Sequence, residues 1–297
     1  MDLIAARLLL LASVPMLFGL AAFALYALQA DEQADRALLP LRLLLAACAA
    51  IGLVATLFGF VAIAASMTGT PIGDLDRDTL AMLVRETGVG TATAIRATML
   101  LFVCIALSMA GTERAARIAL LGGGVATATL AWGGHAMMLE GGAGWTHLTA
   151  DIVHLLAAGL WIGALLGLLW LLPGWPDRSA ARVALARRTL TRFSFVGTFV
   201  VAAIALTGIV NATMILGTPA PGTLLASAYG RMLLGKIALF LLVLGLASTN
   251  RFLLTPMLAT PARAAQAIGW LRLSIGTEAA VAALILAIVS VLGVTEP

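Results

Sequence analysis

The chain has 297 residues, 62% of them hydrophobic and only 11% charged, with a formal net charge of +4. So few charges cannot cover a water-facing surface, which excludes a soluble enzyme, a disordered chain and a disulfide-stapled secreted module. Ten Pro and 30 Gly scattered without a period also exclude a collagen-like repeat.

In chain order, the apolar runs read as eight membrane spans, at about 8–29, 41–66, 88–110, 115–138, 146–172, 190–217, 229–253 and 269–293. Eight helices of about 20 residues use roughly 160 and leave short links. The runs are continuous rather than alternating, so the backbone must be satisfied within helices. The expected fold is an all-α, polytopic integral membrane protein. It forms one membrane domain over 1–297, in which residues 1–130 hold three helices and most of a fourth and residues 131–297 hold the core. The first run is longer than the 7–15 residues of a signal h-region and reads as a retained span. Links carry turn residues, as in Gly69-Thr70-Pro71, Pro173-Gly174-Trp175-Pro176 and Pro219-Ala220-Pro221-Gly222. The polar stretch from Asp74 to Glu86 is expected to form a short interfacial helix.

Of the 18 basic residues 17 are Arg, and the single Lys, Lys236, lies inside an apolar run. The link after the fifth span and the start of the sixth hold Arg178, Arg182, Arg187, Arg188 and Arg192. Arg251 and Arg263 flank the link after the seventh, with Arg272 just inside the eighth. The alternate links 139–145 and 218–227 have no Arg or Lys. Basic residues favour the cytoplasmic side, so both termini are expected outside.

All three histidines, His135, His147 and His154, fall around one extracytoplasmic turn. His147, Asp151 and His154 stand at i, i+4 and i+7 and share a helix face. His135 and Met138 stand at i and i+3 at the end of the fourth span. The link 139–145 makes the fourth and fifth spans antiparallel neighbours. Asn211 and Met214 repeat the i, i+3 spacing at the same end of the sixth span, and Met137 is a further, lower-ranked candidate. Imidazole with thioether favours a copper ion, particularly soft Cu(I), and imidazole with carboxylate also accepts Cu(II) or zinc. Asp151 is either a direct ligand or the group that orients a histidine ring. Arg96, Lys236 and Glu278 are embedded charges; Lys236 and Glu278 are expected to pair, with a proton or cation relay as the functional alternative. Cys48 and Cys104 lie singly in apolar segments, without CxxC spacing, and are expected to be packing residues.

The stretch Gly134-His135-Ala136, His147-Leu148 and Asp151-Ile152-Val153-His154-Leu155-Leu156-Ala157-Ala158-Gly159-Leu160-Trp161-Ile162-Gly163 resembles the CopD/PcoD family of bacterial copper-resistance membrane proteins. So do Arg192-Phe193-Ser194, Thr207-Gly208 with Asn211, Tyr229-Gly230-Arg231 with Lys236, and Asn250-Arg251-Phe252. The likeness is firm from about residue 130 to 256 and weaker before it, where Arg96 within the third span also fits. It implies a multi-pass inner-membrane protein of about eight helices that handles copper, often beside a separate periplasmic CopC-like copper-binding protein. No link is long enough to hold a CopC-like domain. The histidines would inherit the family's metal role. The expected function is copper passage across the cytoplasmic membrane from the outer side, in a protein that is not an enzyme. A b-type haem redox protein and a non-transporting copper sensor or docking platform are the alternatives. No nucleotide-binding loop is present, and neither nucleotide nor nucleic acid is an expected partner besides the lipid bilayer.

Overall fold

The computed structural model describes residues 2–133, 141–172, 174, 179–217 and 221–295. Among them, eight helices are long and apolar enough to cross a membrane. In chain order the helices are α1 (Asp2–Ala27), α2 (Ala30–Ala34), α3 (Leu41–Thr68), α4 (Arg77–Glu86), α5 (Gly88–Met109), α6 (Thr112–Ala128), α7 (Gly141–Leu171), α8 (Ala180–Leu216), α9 (Pro221–Ala226), α10 (Ala228–Thr249), α11 (Thr255–Met257) and α12 (Pro261–Leu292). The spans are α1, α3, α5, α6 with the 3-10 turn Thr129–Gly133, α7, α8, α10 through α11, and α12. The chain is therefore an all-α, multi-pass membrane protein.

The first helix is the hub of the bundle. α1 packs against α3, α6, α7 and α12, and Val14, Leu17, Leu20 and Phe23 on it are fully buried. Its tightest contact is with α7, where Gly159, Gly163 and Gly167 form a stripe at four-residue spacing. Pro15, Gly19 and Phe23 of α1 meet these three glycines in step. A Cβ on Gly159 would lie 2.7 Å from the Pro15 carbonyl oxygen, so only glycine allows this approach. Close backbone packing of this kind holds helices together where lipid removes the hydrophobic drive.

Arg42, Arg188, Arg192 and Arg272 gather at one end of the bundle and do local work there. α1, α5 and α7 all finish at that end, leaving carbonyls without intrahelical partners. Arg192 donates to the carbonyls of Ala27 at 3.0 Å and Tyr26 at 3.4 Å, and Arg272 to that of Leu172 at 2.6 Å. Arg42 donates to Leu107 in the same way, and Arg188 pairs with Glu32 on α2. The guanidinium groups of Arg42, Arg192 and Arg272 sit where the helix dipole favours a cation.

Several helices differ in extent from the sequence reading. α8 begins at Ala180, ten residues before the apolar run, because Ser179 caps it and the Ala/Arg stretch that follows is a good helix former. α12 likewise begins at Pro261, with proline at its first turn. The seventh span is interrupted by a π-turn, Asn250–Leu254, that hydropathy does not reveal. The polar link folds as α4, where the Thr79 amide and hydroxyl, at 2.6 and 3.0 Å, hold the exposed Asp76 carboxyl below its ordinary value.

α8 and α10 hardly touch each other until the π-turn and α11 reach α8 at the arginine-rich end. The cleft between them is walled by α7 and α12, and it holds two cavities.

Candidate functional site

At the end opposite Arg42, Arg188, Arg192 and Arg272, the cleft opens into a cavity of about 230 Å³. α7 contributes His147, Asp151 and His154, whose helical spacing turns all three side chains into this space. α8 adds Asn211, α10 adds Tyr229 and Lys236, and α1 adds Arg7. Imidazole, carboxylate, amide, phenol and two cationic groups thus face one space from four helices.

His147 is buried, 2% exposed, while Asp151 and His154 are half-buried. Asp151 Oδ1 accepts from Asn211 Nδ2 at 3.2 Å, and its carboxylate interacts electrostatically with Lys236 and Arg7. His154 Nδ1 lies 3.0 Å from Thr207 Oγ1. The Thr207 hydroxyl gives its own proton to the Ala203 carbonyl one turn back, so its oxygen accepts from His154 Nδ1–H. This pairing corresponds to the tautomer with the proton on Nδ1, which leaves the Nε2 lone pair available to a metal. Gly208 keeps the space beside the ring open: a Cβ there would stand 3.7 Å from His154 Cε1. Arg7 reaches the Gly133 carbonyl at 3.5 Å, tying the cavity wall to the end of the fourth span.

The sequence-derived candidates divide by position. His147, Asp151, His154 and Asn211 line the cavity together. Met214 is half-buried on α8 and is not on the lining, which takes Asn211, Ala212 and Ile215 from that turn. His135, Met137 and Met138 lie outside the described residues. Among the described residues, no three His, Cys, Asp or Glu side chains close into a metal cluster. Thr207, Arg7 and Tyr229 are site residues that the chemistry-based reading missed. Thr207 and Tyr229 left a trace, Thr207 four residues before Asn211 on the same face of α8 and both within the motifs that carry the family resemblance.

The expected Lys236–Glu278 pair does not form. Lys236 shares its cavity with Ile285 and Val289 of α12, whereas Glu278 lies seven residues from Ile285, ~10 Å further along the helix. Glu278 instead accepts a hydrogen bond from Asn250 Nδ2 and lines the other cavity. Arg96 also has a structural partner, donating to the Thr129 hydroxyl and carbonyl, both at 3.0 Å, and so clamping α5 to the end of the fourth span. Cys48 lies in the hydrophobic core and Cys104 packs against it, away from the cavity.

Two family descriptions match the chain: "Copper resistance protein D-like, N-terminal domain" over residues 1–145 and "Copper resistance protein D" over residues 187–292. The chain is 39% identical over 302 residues to "Copper resistance protein D" of Pseudomonas syringae pv. tomato, covering 99% of this chain and 96% of the relative. It is 34% identical over 169 residues to "Inner membrane protein YebZ" of Escherichia coli (strain K12), covering 57% and 55% of the two chains. No solved structure matches it.

Proposed function

This chain is a member of the copper resistance protein D family, and we propose that it takes copper from the periplasmic side and moves it across the cytoplasmic membrane. The observation that carries this reading is the convergence of His147, Asp151 and His154 on one cavity, with His154 Nε2 left free by the Thr207 contact. Imidazole and carboxylate are donors that copper accepts. His135 is carried as the third imidazole, because it follows two residues after Gly133, whose carbonyl meets Arg7 of the cavity wall. Met138 is carried as a thioether donor, three residues before Gly141.

With the arginine-rich end assigned to the cytoplasm, the histidine cavity opens to the periplasm and both termini lie outside. Copper entering there meets two described imidazoles and a carboxylate that already has an amide partner and two nearby cations. That environment captures the ion without enclosing it, and an ion in transit must be able to lose its ligands. The gap between α8 and α10 supplies the route toward the arginine-rich end. A separate periplasmic CopC-like protein is the proposed donor. Ligating imidazoles must be neutral, so protons compete with copper for the site.

Copper titration of the purified chain in detergent tests the site. The expected result is saturable binding in the wild type, lost in the His135→Ala/His147→Ala/His154→Ala triple variant while the protein stays monodisperse. Unchanged binding in the triple variant overturns the site. A Soret band with stoichiometric haem replaces copper with the haem reading.

A further inference from the structure

The second cavity of the cleft, about 190 Å³, lies toward the arginine-rich end between α7, α8, α10 and α12. Its wall is mostly apolar, with Trp161, Leu165, Leu168 and Val201 among the residues facing it. Into this surface project three oxygen-bearing side chains buried by more than nine-tenths: Glu278 at 1% exposure, Asn250 at 7% and Thr255 at 8%. Asn250 Nδ2 donates to Glu278 Oε1, which orients the amide and leaves Asn250 Oδ1 without a hydrogen-bond partner. Thr255 Oγ1 is also unpartnered. Asn250 opens the π-turn and Thr255 follows it directly. Such single-turn interruptions of a helix are frequent at functional sites.

The donors decide what this space suits. A carboxylate, an amide oxygen and a hydroxyl are all hard oxygen ligands, and the lining holds no imidazole, thiol or thioether, so it does not suit Cu(I). Burying a carboxylate away from water is unfavourable unless a positive charge compensates it. Arg251, the cation on this lining, is exposed, donates to the Thr198 hydroxyl and lies 5.1 Å over the Phe252 ring. One carboxylate balances one positive charge, which favours a monovalent over a divalent ion. At about 30 Å³ per water, the space also takes a cation that keeps several waters.

We infer that this cavity is a sodium site, in which Glu278, Asn250 Oδ1 and Thr255 Oγ1 coordinate a partly hydrated Na+. The inference stands on residues separate from the histidine cavity and does not depend on the copper reading. Sodium completes the coordination of both orphan oxygens and neutralises Glu278, whereas a proton on Glu278 would satisfy at most one of them.

The test is equilibrium binding of radioactive sodium to the purified full-length chain in detergent, with choline chloride holding ionic strength constant. The expected result is about one saturable Na+ per chain in the wild type and none in Glu278→Gln. In Thr255→Val, which loses one ligand and keeps the shape of the side chain, binding should weaken by about tenfold or more. Both variants should bind copper as the wild type does, which separates this site from the other. Absence of saturable sodium binding in the wild type overturns the inference. So does undiminished binding in a monodisperse Glu278→Gln protein. If Glu278→Gln does not yield monodisperse protein, Thr255→Val decides alone, and wild-type affinity in it overturns the inference.

Discussion

Replacing Thr207 with Val removes one oxygen and keeps the shape of the side chain. The wild-type hydroxyl donates to Ala203 and accepts from His154 Nδ1–H at 3.0 Å, so valine releases the ring from its fixed tautomer and orientation. Loss of such an orienting partner typically costs about 10–100-fold in metal affinity, equivalent to ~1.4–2.7 kcal/mol. The lost bond to Ala203 is intrahelical and should leave folding nearly unchanged. Thr213→Val is the matched control, because Thr213 lies exposed on the same helix and its hydroxyl donates to the Val210 carbonyl. Competition titration against a copper chelator, on monodisperse protein in detergent, reads the difference. Wild-type affinity in Thr207→Val, or an equal loss in Thr213→Val, would refute the tautomer argument.

Other consequences of the architecture can be measured independently. Gly159→Ala should destabilise the protein by ~1–3 kcal/mol through overpacking against Pro15, lowering its thermal midpoint in detergent, whereas Gly276→Ala, which meets nothing within 4 Å, should not. In a background lacking Cys48 and Cys104, a cysteine at Ser179 should react with an impermeant thiol reagent only from the cytoplasmic side; labelling from outside reverses the proposed orientation. Charge-removing double-mutant cycles should show coupling between Asp151 and Lys236, but additivity within about 0.5 kcal/mol for Lys236 and Glu278, as expected for separate cavities. Coupling of the second pair would contradict the positions assigned to them.

The parts of the fold written in contiguous sequence were the legible ones. Each span is a long apolar run, and the face shared by His147, Asp151 and His154 follows from spacing on one helix. Helix α8 starts earlier than its apolar run because capping and helix propensity continue a helix beyond the bilayer, where hydropathy has no signal. The Gly159, Gly163, Gly167 stripe is visible in the chain, but its partner is α1, far away in sequence, and no local pattern identifies it. For the same reason Arg7 escaped notice and Tyr229 entered only through the family resemblance: they reach the histidine cavity from helices that only the fold brings there. The Lys236–Glu278 expectation failed on depth, since pairing charges by helix adjacency ignores how far along each axis they stand. Two of the arginines that signalled topology, Arg192 and Arg272, also proved to cap the ends of α1 and α7, so the same residues carry orientation and local stability. The resemblance seen from about residue 130 to 256 understated the relationship, because the N-terminal family description covers residues 1–145 and α1 from that region is the hub of the bundle.

The central claim is that copper crosses the membrane through this chain by way of the histidine cavity. Its most direct test is radiocopper uptake into sealed proteoliposomes of verified orientation, comparing the wild type with His154→Ala at equal reconstitution. Time-dependent, saturable accumulation in the lumen is expected when copper is supplied on the histidine side, reduced to the level of protein-free vesicles in His154→Ala. Copper that binds the wild-type protein but never reaches the lumen would contradict it and leave a sensor or docking platform in its place.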